Sequence, residues 1–150
     1  MVYFECDNDG ALLDFFSIAR ADKKHTNSKG NVCNKVSNNT GVIGLVDEDP
    51  LTRQPGYISS LGNPVSYKHD IKVFSDNAKN NQIVMICPRL EEWLYNVARQ
   101  NGIDPTSFGL PAKADDLHKE ELRKVKTKLN QFLKALEKTN EFRHLKSLFP

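Results

Sequence analysis

Three short apolar runs constrain the fold of this chain more than any other feature of its sequence. They are "VYFEC" at residues 2–6, "VIGLV" at residues 42–46 and "QIVMIC" at residues 82–87. Short apolar runs of this kind are typical of buried strands. Longer segments with apolar residues at helical spacing lie between and after them. This alternation predicts an α/β fold with a mainly parallel central sheet of about four strands flanked by helices.

The helices follow from spacing and from start and stop residues. Residues 11–20 form a helix that Asp7, Asn8 or Asp9 can cap. A weaker pattern predicts a short helix within residues 32–41. After the third strand, Pro88 opens a helix that Gly102 ends. The C-terminal helices are a long one that begins near Asp115 or Asp116 and carries an apolar stripe at residues 122–136, and a short one with Phe142, Leu145 and Leu148.

The remaining segments are polar or rich in turn residues. Residues 21–31 and 50–66 are predicted loops, and residues 67–76 a strand with Ile71, Val73 and His69 on one face. We therefore expect residues 1–112 to form the α/β domain. Residues 113–150 form a helical C-terminal extension of that domain.

Composition limits the class of protein. The chain has 150 residues, 39% apolar and 27% charged, as in ordinary globular proteins. Its net charge of +2 does not by itself indicate a nucleic-acid-binding protein. The 3 cysteines form no C-x-x-C pair, no signal peptide is visible, and no apolar run approaches the roughly 20 residues of a membrane span. We expect a reduced, cytoplasmic protein without a membrane partner.

Acidic residues follow two of the predicted strands. Glu5 and Asp9 follow the first strand, and Asp47, Glu48 and Asp49 follow the second. Functional groups gather at the carboxyl ends of parallel strands, so these acids are expected at one edge of the sheet. Asp47 and Asp49 share a face if the strand extends that far. The alternative is that the three consecutive acids form a solvated turn.

These motifs, "VYFECDNDGALLDFF" followed by "VIGLVDEDP", resemble the toprim superfamily, the catalytic domain of topoisomerases, primases and overcoming-lysogenization-defect nucleases. Glu5 matches the family's glutamate after strand one, Asp9 the aspartate that follows it, and Asp47 and Asp49 its D-x-D. The resemblance covers roughly residues 2–95. It departs from the family at Cys6, where glycine is usual, and in residues 21–31, where the apolar second strand is short, displaced or absent.

The resemblance implies a metal-dependent reaction on DNA or RNA. In the family the D-x-D holds Mg²⁺, and the glutamate is a ligand or a general acid or base. All-oxygen ligands suit Mg²⁺ or Mn²⁺. By resemblance Glu5, Asp47 and Asp49 are the candidate catalytic residues, and Glu5, Asp9, Asp47 and Asp49 are candidate metal ligands. A topoisomerase needs a tyrosine nucleophile on another domain, which 150 residues are too few to include, so hydrolysis is the expected reaction.

Further candidates lie nearby. Glu91 and Glu92 begin the helix after the third strand; Glu91 is the better candidate ligand, although acids in a first turn also suit the helix dipole. Four basic residues, in the predicted 21–31 loop and beside the two glutamates, are candidate phosphate contacts: Lys23, Lys24, Lys29 and Arg89. A solvated loop and a local ion pair are the alternatives for them.

Other functions remain open. Haloacid-dehalogenase phosphatases also carry a D-x-D after a strand, but near the N-terminus and with Thr or Val where this chain has Leu51. A receiver domain would need paired acids after strand one. The chain could instead be a non-catalytic toprim-like interaction module that acts with a partner such as an ATPase in phage defence or DNA repair.

Overall fold

One six-stranded sheet forms the centre of the molecule in the computed structural model, which describes residues 1–150. In chain order the strands are β1 (Val2–Phe4), β2 (Lys23–His25), β3 (Ile43–Asp47), β4 (Ser66–Lys68), β5 (Ile71–Asp76) and β6 (Asn81–Ile86).

The sheet is mostly parallel, with an antiparallel addition at one side. Its order is β2-β1-β3-β6-β5-β4. The first four strands in this order run parallel, and β5 and β4 are antiparallel to their neighbours. The α/β class with a mainly parallel sheet is confirmed. The prediction of about four strands was wrong, because the polar edge strands β2 and β4 pair through backbone groups and need no apolar pattern.

Seven helices cover the sheet, and two one-turn 3₁₀ helices lie at Arg20–Asp22 and Pro105–Phe108. The α-helices are α1 (Asp7–Phe15), α2 (Lys29–Ser37), α3 (Gly56–Ser60), α4 (Leu90–Gln100), α5 (Ala114–Lys119), α6 (Leu122–Leu136) and α7 (Asn140–Ser147). No helix among them is long and apolar enough to cross a bilayer.

Alternate side chains of the strands enter two separate cores. Leu45 and Val84 pack into a cluster of 27 buried residues under α1, α4, α5, α6 and α7. Val46 and Met85 point the other way, into a cluster of 11 under α2 and α3. The period of two along each strand therefore explains why the central strands are apolar on both faces.

Gly44 interrupts the apolar run of β3 because α2 lies close to the sheet at that point. A Cβ atom there would stand 2.7 Å from Cδ1 of Ile83 and 2.8 Å from Cγ1 of Val32. Real carbon atoms do not approach so closely, so only glycine lets α2 and β6 occupy these positions.

Several boundaries differ from the sequence predictions. Residues 21–31 contain β2 and the start of α2, and the predicted 50–66 loop contains α3 and the first residue of β4. The first helix spans Asp7–Phe15, earlier than residues 11–20, because Cys6 rather than a following acid is its N-cap.

Two predicted continuous elements are divided. His69 does not share a strand face with Ile71 and Val73, because His69 and Asp70 form the turn between β4 and β5 with φ angles of 53° and 58°. The long C-terminal helix is two helices, α5 and α6, separated where Glu120 adopts an extended conformation.

Candidate functional site: four carboxylates at the edge of the sheet

Glu5 and Asp47 join the ends of β1 and β3. Glu5 is the first residue after β1, and Asp47 is the last of β3. The backbone N–H of Asp47 donates a hydrogen bond of 2.8 Å to Oε1 of Glu5. Pairing of the two parallel strands thus brings these side chains to the same edge, where both are partly accessible.

Asp9 lies beneath this pair in the first turn of α1. Its Oδ2 accepts hydrogen bonds from the N–H groups of Glu5 and Cys6, at 3.1 and 3.0 Å. Only 2% of Asp9 is exposed. Asp9 therefore fixes the turn that carries Glu5 from β1 into α1.

The start of α4 supplies the fourth acid. Oδ1 of Asp47 accepts a 2.9 Å hydrogen bond from the N–H of Leu90. The next residue, Glu91, is 2% exposed, and its Oε1 accepts a 2.7 Å bond from Nδ2 of Asn8. Nδ1 of His118 lies 3.3 Å from the same oxygen. We call Glu5, Asp9, Asp47 and Glu91 the carboxylate cluster.

The cluster has no lysine or arginine paired with it. Glu5, Asp9 and Asp47 form no ion pair, and the basic group that contacts Glu91 is His118. Burial, followed by the charges of Asp9, Glu91 and Glu5, raises the pKa of Asp47 to about 9.

The same forces act on the other members. Burial, with the charges of Glu5 and Glu91, raises the pKa of Asp9 to about 7. Burial also raises the pKa of Glu5, opposed by the N–H of Asp47 and by the charge of Lys29. These carboxyl groups repel one another when ionised, which is the condition that a bound cation relieves.

The two acids after Asp47 are placed differently. Glu48 forms an ion pair with Lys72, whose hydrogen bond lowers the pKa of Glu48. Oδ2 of Asp49 lies 3.7 Å from Nζ of Lys29, and its Oδ1 lies 3.9 Å from Nε of Arg89. We call Glu48 and Asp49 the paired turn acids.

Asp49 does not extend the strand face of Asp47. The strand ends at Asp47, and Asp49 has a φ of 45°, in the left-handed region. The expectation that both aspartates of the D-x-D share one strand face therefore fails, because the turn begins between them. Asp49 stands at the rim of the cluster, where its charge still raises the pKa of Glu5.

The four predicted phosphate contacts occupy two places. Lys29 is buried and donates to the carbonyl oxygen of Glu48 at 2.7 Å, and Arg89 lies 3.1 Å from Glu92; both flank the paired turn acids. Lys23 and Lys24 lie on the edge strand β2, whereas Lys29 is the first residue of α2 and Arg89 is the N-cap of α4. Lys23 pairs with Asp14, and Lys24 is exposed.

Two polar residues of the site were not predicted from sequence. Asn8 lies in the same turn as Glu5 and Asp9, so proximity to the motif could have indicated it. His118 carries no such signal, because α5 reaches the site only through the tertiary packing of α5 on α4.

The residues present suit a hard divalent cation. The donors are all oxygens, and the hydrogen bonds of Asp47 and Glu91 use one carboxylate oxygen each, leaving Oδ2 and Oε2 without one. No group of three potential ligands is already drawn together at coordinating distance. A cation would therefore have to draw the repelling side chains inward.

Comparisons with known proteins add no constraint. No protein-family model, curated protein or solved structure matches the chain. Any function must therefore be argued from the site itself and from the toprim-like motifs.

Proposed function

We propose that the carboxylate cluster binds Mg²⁺ or Mn²⁺ and that the chain hydrolyses phosphodiester bonds of DNA or RNA. The observation that carries the proposal is Asp47: a carboxyl group surrounded by three others, with no lysine or arginine paired to any of them. Ordinary surface acids are hydrated or paired, as Glu48 is. The motif order Glu5, Asp9, Asp47 and Asp49, which resembles toprim nucleases, supports the same conclusion.

The proposed ligands are Glu5, Asp47 and Glu91, with Asp9 orienting Glu5 and Asp49 at the rim. A divalent ion bound there would neutralise non-bridging phosphate oxygens and lower the pKa of a bound water. Lys29 and Arg89 stand beside Asp49, where a phosphate that approaches the rim would meet positive charge.

Hydrolysis conserves atoms without any further reactant. The oxygen of water forms a bond to phosphorus, the bond from phosphorus to one ester oxygen breaks, and the products are a phosphate monoester and a hydroxyl. One proton must leave the water and one must reach the departing oxygen. Glu5 would accept the first proton where it is not itself a ligand, the alternative role that the resemblance to toprim nucleases implies for it.

The test is cleavage of supercoiled plasmid and of a structured RNA in Mg²⁺, Mn²⁺ or EDTA. Wild type should cleave at least one of the two substrates, and only when a divalent ion is present. Asp47→Asn should reduce the rate by about 1000-fold, because the transition state would lose several kcal/mol of stabilisation by the metal ion. The neighbouring substitution Glu48→Gln removes the same charge from a paired position and should change the rate less than about threefold. Equal rates for Asp47→Asn and wild type would contradict the proposal.

A non-catalytic role as an interaction module for a partner such as an ATPase is the second candidate. It is favoured by the edge strand β4 and its neighbour Val65, since Val65 and Tyr67 are 65% and 61% exposed. Unpaired, apolar strand edges are common places for association. Under this alternative Val65→Lys/Tyr67→Lys would weaken assembly with the ATPase in co-purification, whereas Asp47→Asn would leave it intact.

A further inference from the structure

Three cavities with shared lining residues follow α1, and we call them together the furrow. Their volumes are about 360, 500 and 540 Å³. The first two share Asp7 and Leu122, and the last two share Asp14. Residues of α6 line all three cavities, and the segment from Arg20 to β2 lines the second.

The first cavity of the furrow is separated from the carboxylate cluster by one layer of residues. It is lined by Cys6 and Asn8, the residues that hydrogen-bond Asp9 and Glu91. His118, which contacts Glu91, lines the same cavity. A long ligand in the furrow would thus end beside the candidate site.

Unpaired positive charge lies on the segment from Arg20 to β2. Arg20 and Lys24 are exposed, line the second cavity and form no ion pair. Two of the four acids that line the furrow are paired: Asp14 with Lys23, and Glu121, whose Oε2 lies 2.6 Å from Nε of Arg123. The other two are Asp7, 3.8 Å from His25, and Glu120.

Other parts of the furrow offer hydrogen-bonding and stacking groups. In the third cavity α6 presents exposed Thr127, Asn130 and Gln131. In the second cavity the exposed ring of His25 stacks on Phe4, with centroids 5.3 Å apart and planes 5° from parallel. Each cavity is within the size range of small-molecule sites, sufficient for a nucleotide.

We propose that this furrow binds single-stranded nucleic acid and leads it to the carboxylate cluster. This inference rests on the proposed function, which gives nucleic acid as the substrate class. It goes further by specifying single-stranded rather than double-stranded nucleic acid. Grooves that combine positive charge along the backbone with ring faces for the bases are typical of single-strand binding. Arg20 and Lys24 would contact phosphates, and the His25–Phe4 pair would stack a base.

The test uses fluorescence anisotropy with fluorescein-labelled 15-nucleotide oligo-dT and oligo-rU, and a duplex of the same length, in EDTA. Arg20→Gln/Lys24→Gln should weaken single-strand binding about tenfold or more at 0.1 M salt. It should lower the slope of log K against log salt by about 1.4, since each phosphate contact on a single strand contributes about 0.7. The control Lys35→Gln/Arg143→Gln removes the same charges from exposed, unpaired positions on α2 and α7 and should leave both values unchanged.

Equal losses in the two double variants would overturn the furrow as the binding surface, and so would tighter binding of the duplex. The DNA and RNA arms show which strand is preferred. If Arg20→Gln/Lys24→Gln retains metal-dependent cleavage in full, the furrow proposal is overturned and the proposed hydrolysis stands. If that variant alone loses oligonucleotide binding but wild type cleaves neither substrate, the proposed hydrolysis is overturned and the furrow proposal stands.

Discussion

The carboxylate cluster and the paired turn acids are adjacent in the chain but opposite in electrostatics. Burial, followed by the charges of neighbouring carboxyl groups, raises the pKa of Asp47 to about 9. Glu48, the next residue, has a lowered pKa because Lys72 donates a hydrogen bond to it. One peptide bond separates a repelled acid from a stabilised one.

The difference arises from the elements that each residue faces. Asp47 ends β3 and meets the exits of β1 and the start of α4, all of which carry acids. Glu48 and Asp49 belong to the following turn and meet Lys72 on β5, Lys29 on α2 and Arg89. The comparison teaches that consecutive acids in a sequence can have different roles: one belongs to the candidate site, and its neighbours form ion pairs in the adjacent turn.

Within α4, the largest expected effect on the cleavage rate distinguishes the neighbouring residues Glu91 and Glu92. Glu91→Gln should lower metal-dependent cleavage 10- to 100-fold, the usual loss when a ligand or its supporting group is changed. Glu92→Gln is the control, because Glu92 pairs with Arg89 outside the cluster. Cleavage rates of the two variants in Mn²⁺ test this prediction. Equal losses would mean that Glu91 has no role that Glu92 lacks, and its assignment to the carboxylate cluster would be wrong.

Removing a charge from the cluster should stabilise the metal-free protein. Asp47→Asn keeps an oxygen that can accept the hydrogen bond from Leu90. It also removes an ionisable group that the folded protein must keep protonated, or bury as a charge, at a pH where the unfolded chain ionises it. We predict a gain of about 1–2 kcal/mol in the free energy of unfolding at pH 8 in EDTA, the usual gain when a strained functional site is relaxed. Urea denaturation measures it. A loss of stability of similar size would show that Asp47 is a structural acid.

The pH dependence of stability provides a third test. In the metal-free folded protein Asp47 and Asp9 hold protons up to pH values near 9 and 7, whereas their ordinary pKa is 3.8. The folded state then binds more protons than the unfolded state, so this stability is present at low pH and is lost as the pH rises. Urea unfolding in EDTA should show a falling free energy from pH 5 to pH 9, with a shallower fall in Asp47→Asn. A rising free energy across that window, or equal slopes, would refute the assignment.

The smallest effect is expected among the paired turn acids. Glu48→Gln should cost about 0.5 kcal/mol, since partly exposed ion pairs contribute little. The pKa of Glu48 is lowered in the folded state, so the contribution is present above its ordinary pKa of 4.5 and lost as the pH falls. Thermal unfolding of Glu48→Gln and Lys72→Gln at pH 7 and pH 4 measures it; a gain in stability at pH 7 in Glu48→Gln would place Glu48 with the cluster.

Sequence reasoning was strongest where burial imposes a pattern. The central strands at residues 42–46 and 82–87 match β3 and β6 closely, because strands covered on both faces must be apolar throughout. Since parallel strands end at one edge, the same reasoning indicated that Glu5 would meet Asp47 and Asp49. The structure places Glu5 and Asp47 together with Asp9 and Glu91, and Asp49 in the following turn.

Sequence reasoning was weakest where backbone pairing or tertiary packing determines the structure. "KKH" at residues 23–25 pairs with β1 although its side chains are charged and mostly exposed. The break between α5 and α6 leaves the apolar stripe of residues 122–136 intact, so the periodicity could not reveal it. The approach of His118 to Glu91 depends on that break and has no local signature.

The most direct measurement of the central claim is calorimetric titration of Mg²⁺ and Mn²⁺ into wild type, Asp47→Asn and Glu48→Gln at constant pH. It needs no knowledge of the substrate, and the two variants change adjacent residues by the same charge. We predict a saturable site in wild type and in Glu48→Gln that is lost in Asp47→Asn. Equal binding by all three proteins, or none by wild type, would contradict the assignment of the carboxylate cluster as a metal site.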